Sequence, residues 1–199
     1  MKIVACISFY NEEEFLPLCL RSLKENGINR IIAIDGRYKE YPEKSEYSTD
    51  KSKDILKSFG AEVYLAGGLT ETEKRNLFFH YIENEDWILI IDADEFLSEQ
   101  FTELNKEVIG YRLNIHRFNL PPAEDLRLLR NQKGLSIQYC HNAIFLNNSL
   151  IIKEKIPLLN SPILYHLTDL KKRERKEKKG KYLKELWDNE KNFRKEVGL

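Results

Sequence analysis

Trp87-Ile88-Leu89-Ile90-Ile91-Asp92-Ala93-Asp94-Glu95-Phe96 is the stretch from which the fold is read. Five apolar residues, three of them isoleucine, run without a break into three carboxylates. A short, unbroken, β-branched run marks a strand buried on both faces, as in the middle of a parallel sheet. Such a strand ends where the sheet meets solvent, and ligands of open α/β sheets bind at that edge. Carboxylates this close repel one another unless a cation neutralises them. Oxygen ligands suit a hard divalent ion such as Mg²⁺ or Mn²⁺, with phosphate oxygens completing its shell. The plain alternative is an acidic, solvated turn.

Upstream of this strand the pattern repeats. Ile3 to Ser8 reads as a first strand rather than a signal peptide, since it lacks a long apolar stretch and a small-residue cleavage site. Asn11 with Glu12, Glu13 and Glu14 suits a helix N-terminus, and Leu16, Leu20 and Leu23 recur at helical spacing until Asn26-Gly27. Ile31 to Ile34 is a second buried strand and ends in Asp35-Gly36. Residues 37–47 are a polar loop, followed by a helix from Thr49 or Asp50 to Phe59 and a short strand over 61–65. Thr70 and Glu73 form a capping box opening a further helix. Lys74 and Arg75 lie in its first turn, where the helix dipole disfavours cations. Either an anionic ligand or pairing with neighbouring glutamates accounts for them. Strands alternating with helices predict a right-handed, wound, mostly parallel α/β sheet with helices on both faces.

Beyond Phe96 the pattern changes. Glu99 to Glu107 reads as a surface helix, and 107–119 as a meander of shorter strands. Further strands are expected at 126–129 and 144–146, the latter turning through Asn147-Asn148 into 150–152. We expect a body of residues 1–168, with halves 1–96 and 97–168, and a charged helical tail over 169–199. Residues 171–199 hold 12 Lys/Arg and 6 Asp/Glu in a chain whose formal net charge is zero. An acidic body with a basic tail argues against a general nucleic-acid binder. Lys171 to Lys181 either touch an anionic membrane or lipid-linked acceptor, or serve as a solubilising face. Three cysteines without metal-ligand spacing point to buried free thiols, and so to a cytoplasm, the host's if the source is viral.

Ile7-Ser8-Phe9-Tyr10-Asn11-Glu12-Glu13, Ile34-Asp35-Gly36, Ser48-Thr49-Asp50, Lys74-Arg75-Asn76 and Asp92-Ala93-Asp94-Glu95 occur in one order, followed by Arg127-Leu128-Leu129-Arg130-Asn131, Gly134 and His141. Together they resemble the GT-A glycosyltransferases, in particular small prokaryotic or viral members of the inverting family 2 type, over about residues 1–146. The resemblance implies a metal-dependent (Mn²⁺ or Mg²⁺) hexosyltransferase-type enzyme. It would move a sugar from a nucleotide-sugar donor, UDP- or GDP-linked, to a glycan, lipid-linked or protein acceptor. On that basis Ser8, Tyr10, Glu12, Asp35, Arg75 and Asp92 match donor-binding positions, Asp92 and Asp94 the metal pair, and His166 a late metal ligand. His166 reads equally as a strand-end cap. His141 falls in the acceptor region, where the family often has His-Glu and this chain has His141-Asn142. The base must then lie elsewhere, and Asp125, then Glu124, are the candidates after the Pro121-Pro122 break. Two other readings compete: a catalytically silent nucleotide-sugar-binding domain, and an Asp-x-Asp phosphatase. The phosphatase class carries its motif near the start of the domain, not on a fourth strand.

Overall fold

The computed structural model describes residues 1–39, 41–117, 120–139, 143–167 and 170. The tail helix expected over 169–199, with the basic run 171–181, lies outside the described residues apart from Leu170, and so does His141. In chain order the elements are β1 (Ile3–Phe9), α1 (Leu16–Glu25), β2 (Arg30–Asp35), α2 (Ser52–Ser58), β3 (Glu62–Leu65), α3 (Glu71–Tyr81) and β4 (Trp87–Ile90). Then follow β5 (Glu95–Leu97), β6 (Gly110–Arg117), β7 (Ala123–Arg130), β8 (Leu135–Ile137), β9 (Ile144–Leu146), β10 (Ser149–Leu150) and β11 (Leu158–His166). An eight-stranded sheet runs β3-β2-β1-β4-β7-β6-β11-β5, and β10-β9-β8 form a second, small sheet.

The apolar runs behave as their composition requires. All four residues of β4 are buried, and β4 sits in mid-sheet, parallel to β1. β1, β2 and β3 are parallel to one another, while β7 is antiparallel to β4. Alternation along β1 splits the core into two layers. Ala5, Ile7 and Phe9 pack with Leu16, Leu20 and Leu23 of α1 and Leu56 of α2. Val4 and Cys6 pack on the other face with Phe78 of α3 and with Leu135, Ile137 and Ile144 of the small sheet. Helices therefore cover both faces of a mostly parallel sheet. Cys6 and Cys19 are buried free thiols, and burial pushes both above the usual thiol range.

Local signals set most helix ends. Thr70 caps α3 by the expected reciprocal pair: its hydroxyl accepts from the Glu73 amide, and its own amide donates to the Glu73 carboxylate. Gly27 and Gly60 follow α1 and α2 with φ of 79° and 74°, the left-handed geometry glycine supplies at helix ends.

Several expectations need correction. Asn11 is not an N-cap. Its φ is 53°, and its side-chain carbonyl accepts from the amides of Thr49 and Asp50. α1 begins at Leu16 because Pro17 fits only a first helical turn. No helix forms over 99–107, and the described residues 107–117 give one strand, β6, rather than a meander. β5 continues directly from the acidic motif and pairs with β11. β11 was foreseen only at its last residues, because Asn160-Ser161-Pro162 interrupt its apolar pattern. There its register on β6 jumps between Leu159 and Leu164.

Candidate active site at the end of the fourth strand

β4 delivers the acidic motif to the C-terminal edge of the sheet. The Ile91 amide still bonds to the Cys6 carbonyl of β1, and the chain then turns, with the Glu95 amide donating to the Asp92 carbonyl (3.0 Å). Glu95 opens β5, and His166 closes β11 as its register partner. Asp92, Glu95 and His166 each offer a ligand atom, all within 4.8 Å of one another. Asp94 joins the group through His166, whose Nε2 lies 3.3 Å from its Oδ2. Asp94 and Glu95 are almost fully buried.

Two buried arginines balance these carboxylates. Arg75 on α3 donates Nη2 to Asp92 (2.9 Å) and Nε to Glu71 one turn earlier (3.2 Å). Arg127 on β7 donates Nη2 to Glu95 (3.0 Å) and to Asp92 (3.4 Å), while its Nε faces Asp125 at 3.3 Å. A bulge aims Arg127. Leu128 pairs with Tyr111 and Leu126 with Arg112, so Arg127 is the extra residue of β7.

Burial and charge oppose each other at every member. Burial would raise Asp92, but the two arginines outweigh it and hold its carboxyl well below the usual range. Burial dominates at Glu95 and pushes it up to about 7 against the pull of Arg127. At His166 burial alone would lower the imidazole, yet the hydrogen bond and charge of Asp94 hold it above its ordinary value. Buried charges persist only when paired in this way.

Four of the donor-side residues expected from the sequence, Ser8, Tyr10, Glu12 and Asp35, lie around the ends of β1 and β2, and each bonds to the segment that follows β2. The Ser8 hydroxyl is 2.9 Å from the Tyr38 hydroxyl. Tyr10 donates its hydroxyl to the Ser45 carbonyl and meets the Tyr41 ring edge-on at 5.8 Å. The Glu12 amide donates to Ser52 Oγ (2.7 Å). Asp35, fully buried, accepts from the amide and the hydroxyl of Ser48. The two residues expected as base candidates, Asp125 and Glu124, lie on β7. Asp125 is nearly buried, beside Arg127 and Lys153 (3.5 Å), whereas Glu124 is more exposed and paired with Arg112. Asp125 therefore adjoins the carboxylate group through Arg127, and Glu124 does not share that link.

Sequence reasoning assigned no role to Glu95 or Arg127. Glu95 was visible as the third carboxylate of the motif. Arg127 needed the bulge, which sequence does not reveal. The two alternatives for Lys74 and Arg75 resolve differently. Arg75 pairs with a neighbouring glutamate and also reaches Asp92. Lys74 is fully buried and donates to the carbonyls of Phe9 and Gly36.

No family model matches the chain. Over 83% of its length it is 27% identical to an uncharacterized glycosyltransferase of Rickettsia prowazekii and 28% identical to one of Rickettsia bellii. It spans 60% and 59% of those two proteins. Among solved structures, residues 1–349 of S. aureus TarS match 83% of this chain with a TM-score of 0.53 at 14% identity, 60% of that chain being covered. The same protein in complex with UDP matches equally broadly, with a TM-score of 0.52 at 14% identity. At such identities the likeness is one of fold. The chain thus shares the GT-A type of α/β fold with these structures.

Proposed function

We propose that this protein transfers a hexosyl group from a nucleoside-diphosphate sugar to an acceptor hydroxyl, by direct displacement with inversion. The observation that carries the reading is the convergence of Asp92, Glu95 and His166 at the edge of β4, with Asp94 bonded to the imidazole. Two carboxylates and an imidazole suit a divalent ion, and the imidazole favours Mn²⁺ over Mg²⁺. Asp92, Asp94 and His166 would hold it, with Glu95 as a further donor. When bound, the ion would neutralise charge developing on the leaving diphosphate. Arg75, already turned to Asp92, would meet the same phosphates. Ser8, Tyr10, Glu12 and Asp35 would shape the nucleoside wall. Asp125 would take the acceptor's proton, with Glu124 as second candidate. The acceptor is a glycan, lipid-linked or protein hydroxyl. The buried free thiols support a reducing compartment, the cytoplasm. Among the described residues no helix is long and apolar enough to cross a membrane.

Calorimetric titration with UDP, GDP, CDP and dTDP, each with Mn²⁺, Mg²⁺ or EDTA, tests the reading. Metal-dependent binding of one nucleotide is expected, followed by turnover with its sugar. Binding of none removes the donor site, while binding without turnover favours a silent binding domain.

A further inference from the structure

Lys74 is out of place for a surface helix of this kind. It lies in the first turn of α3, yet it has no exposed area and stands among the largest fully buried side chains. Its Nζ donates to the Phe9 carbonyl (2.8 Å) and to the Gly36 carbonyl (2.6 Å), and it lies 4.9 Å from the centre of the Tyr38 ring. Phe9 ends β1, and Gly36 follows β2. The last rung between these strands is the Gly36 amide bonding to the Phe9 carbonyl. Past it the chains diverge, one into the loop 10–15, the other into 37–47.

These diverging segments are then stitched together. Tyr38 meets Ser8, and Tyr10 reaches Ser45. The Asn11 amide donates to Ser48 Oγ (2.9 Å), and Ser48 is itself held by Asp35. The second segment is closed on itself by the Arg37 amide bonding to the Glu46 carbonyl, and is tied to the residue before Thr70 by the Lys39 amide bonding to the Leu69 carbonyl. Lys74 sits beneath this seam, touching both strand ends and the ring of Tyr38. An apolar residue there would leave the Gly36 carbonyl without its lysine donor and the Phe9 carbonyl with the Gly36 amide alone, which explains why this side chain is kept where the helix dipole opposes it.

We infer that Lys74 is a positioning residue of the donor site, which holds segment 37–47 against loop 8–12 and so sets the wall that receives the nucleoside. The inference rests on the glycosyltransferase reading above. Lys74 itself does not touch the nucleotide; it acts through Phe9, Gly36 and Tyr38. Its loss should therefore appear in donor affinity rather than in the chemical step.

The test compares wild type with Lys74→Met and Tyr38→Phe by two readouts, amide hydrogen exchange and donor kinetics. Tyr38→Phe keeps the ring over Lys74 and removes the link to Ser8, so it remains informative if Lys74→Met unfolds. In Lys74→Met, exchange at the amides of Arg37, Lys39 and Ser48 should quicken about tenfold or more beyond the change at β4. KM for the donor should rise about 10–30-fold while kcat changes less than about threefold. Tyr38→Phe should raise KM by about threefold, with little change in exchange. Faster exchange with an unchanged KM overturns the inference and leaves Lys74 a packing residue. A fall in kcat at constant KM also overturns it. Failure of the wild type to bind any nucleoside diphosphate overturns the donor reading instead, and is told apart because the exchange comparison needs no nucleotide.

Discussion

Arg127 donates to Glu95 at 3.0 Å from the one position where β7 carries a residue that β6 does not match. The bulge turns a side chain that would otherwise follow the strand's alternation into the carboxylate group. Replacing Arg127 with Met should leave Glu95 buried without that partner. The cost should be about 3–5 kcal/mol in urea unfolding at neutral pH, as for other broken buried pairs. Mn²⁺ should restore more stability to this variant than to wild type, because a bound cation replaces the missing guanidinium. Equal stabilisation of both proteins would show that the ion binds elsewhere.

Asp94 lies against His166 and is nearly buried. Asp94→Ala removes a carboxylate that either binds the ion or orients the histidine that does. Mn²⁺ affinity in the presence of nucleotide should fall about 10–100-fold, and turnover should fall with it. The far-ultraviolet circular dichroism should be unchanged. Full activity in this variant would withdraw the metal assignment.

Asp125 is held between Arg127 and Lys153. If it is the base, Asp125→Asn should lower kcat by about 10²–10⁴-fold and leave donor KM within a few-fold. Glu124→Gln, altering a more exposed residue, should change little. The reverse ranking would move the base to Glu124.

Burial pushes the Lys74 amine down to about 7, from an ordinary value of 10.5. A base whose folded pKa lies below its unfolded one takes up a proton on unfolding at any pH between the two. Its contribution to stability therefore grows as pH rises from about 7 toward 10.5, and is lost as pH falls. Wild type should gain about 1–3 kcal/mol relative to Lys74→Met between pH 7 and pH 9, by denaturant unfolding at each pH. A flat difference would show an amine kept charged by its two carbonyls and the Tyr38 ring.

What the sequence made legible is what local chemistry determines. β1, β2 and β4 are continuous apolar runs, and a run buried on both faces has few other fates. The Thr70–Glu73 box named its helix start because both partners lie within one turn. The second half was harder, since β5 and β11 take their partners from distant segments, and short strands such as β5 and β8 carry little periodicity of their own. The acidic motif was read correctly as a strand end. Its balancing arginine could not be placed, because a bulge is a property of a pair of strands and never of one.

The pairing of β5 with β11 also has a temporal meaning. Glu95 and His166 face each other across the ladder but are 71 positions apart in the chain, from 95 to 166. At about 5–20 residues per second, a ribosome adds the histidine roughly 4–14 s after the carboxylates. Until then the parallel strands β1 to β4 can assemble, but the carboxylates at their edge lack the histidine. On the proposed reading, the ion site is therefore completed only when β11 has been made and paired with β5.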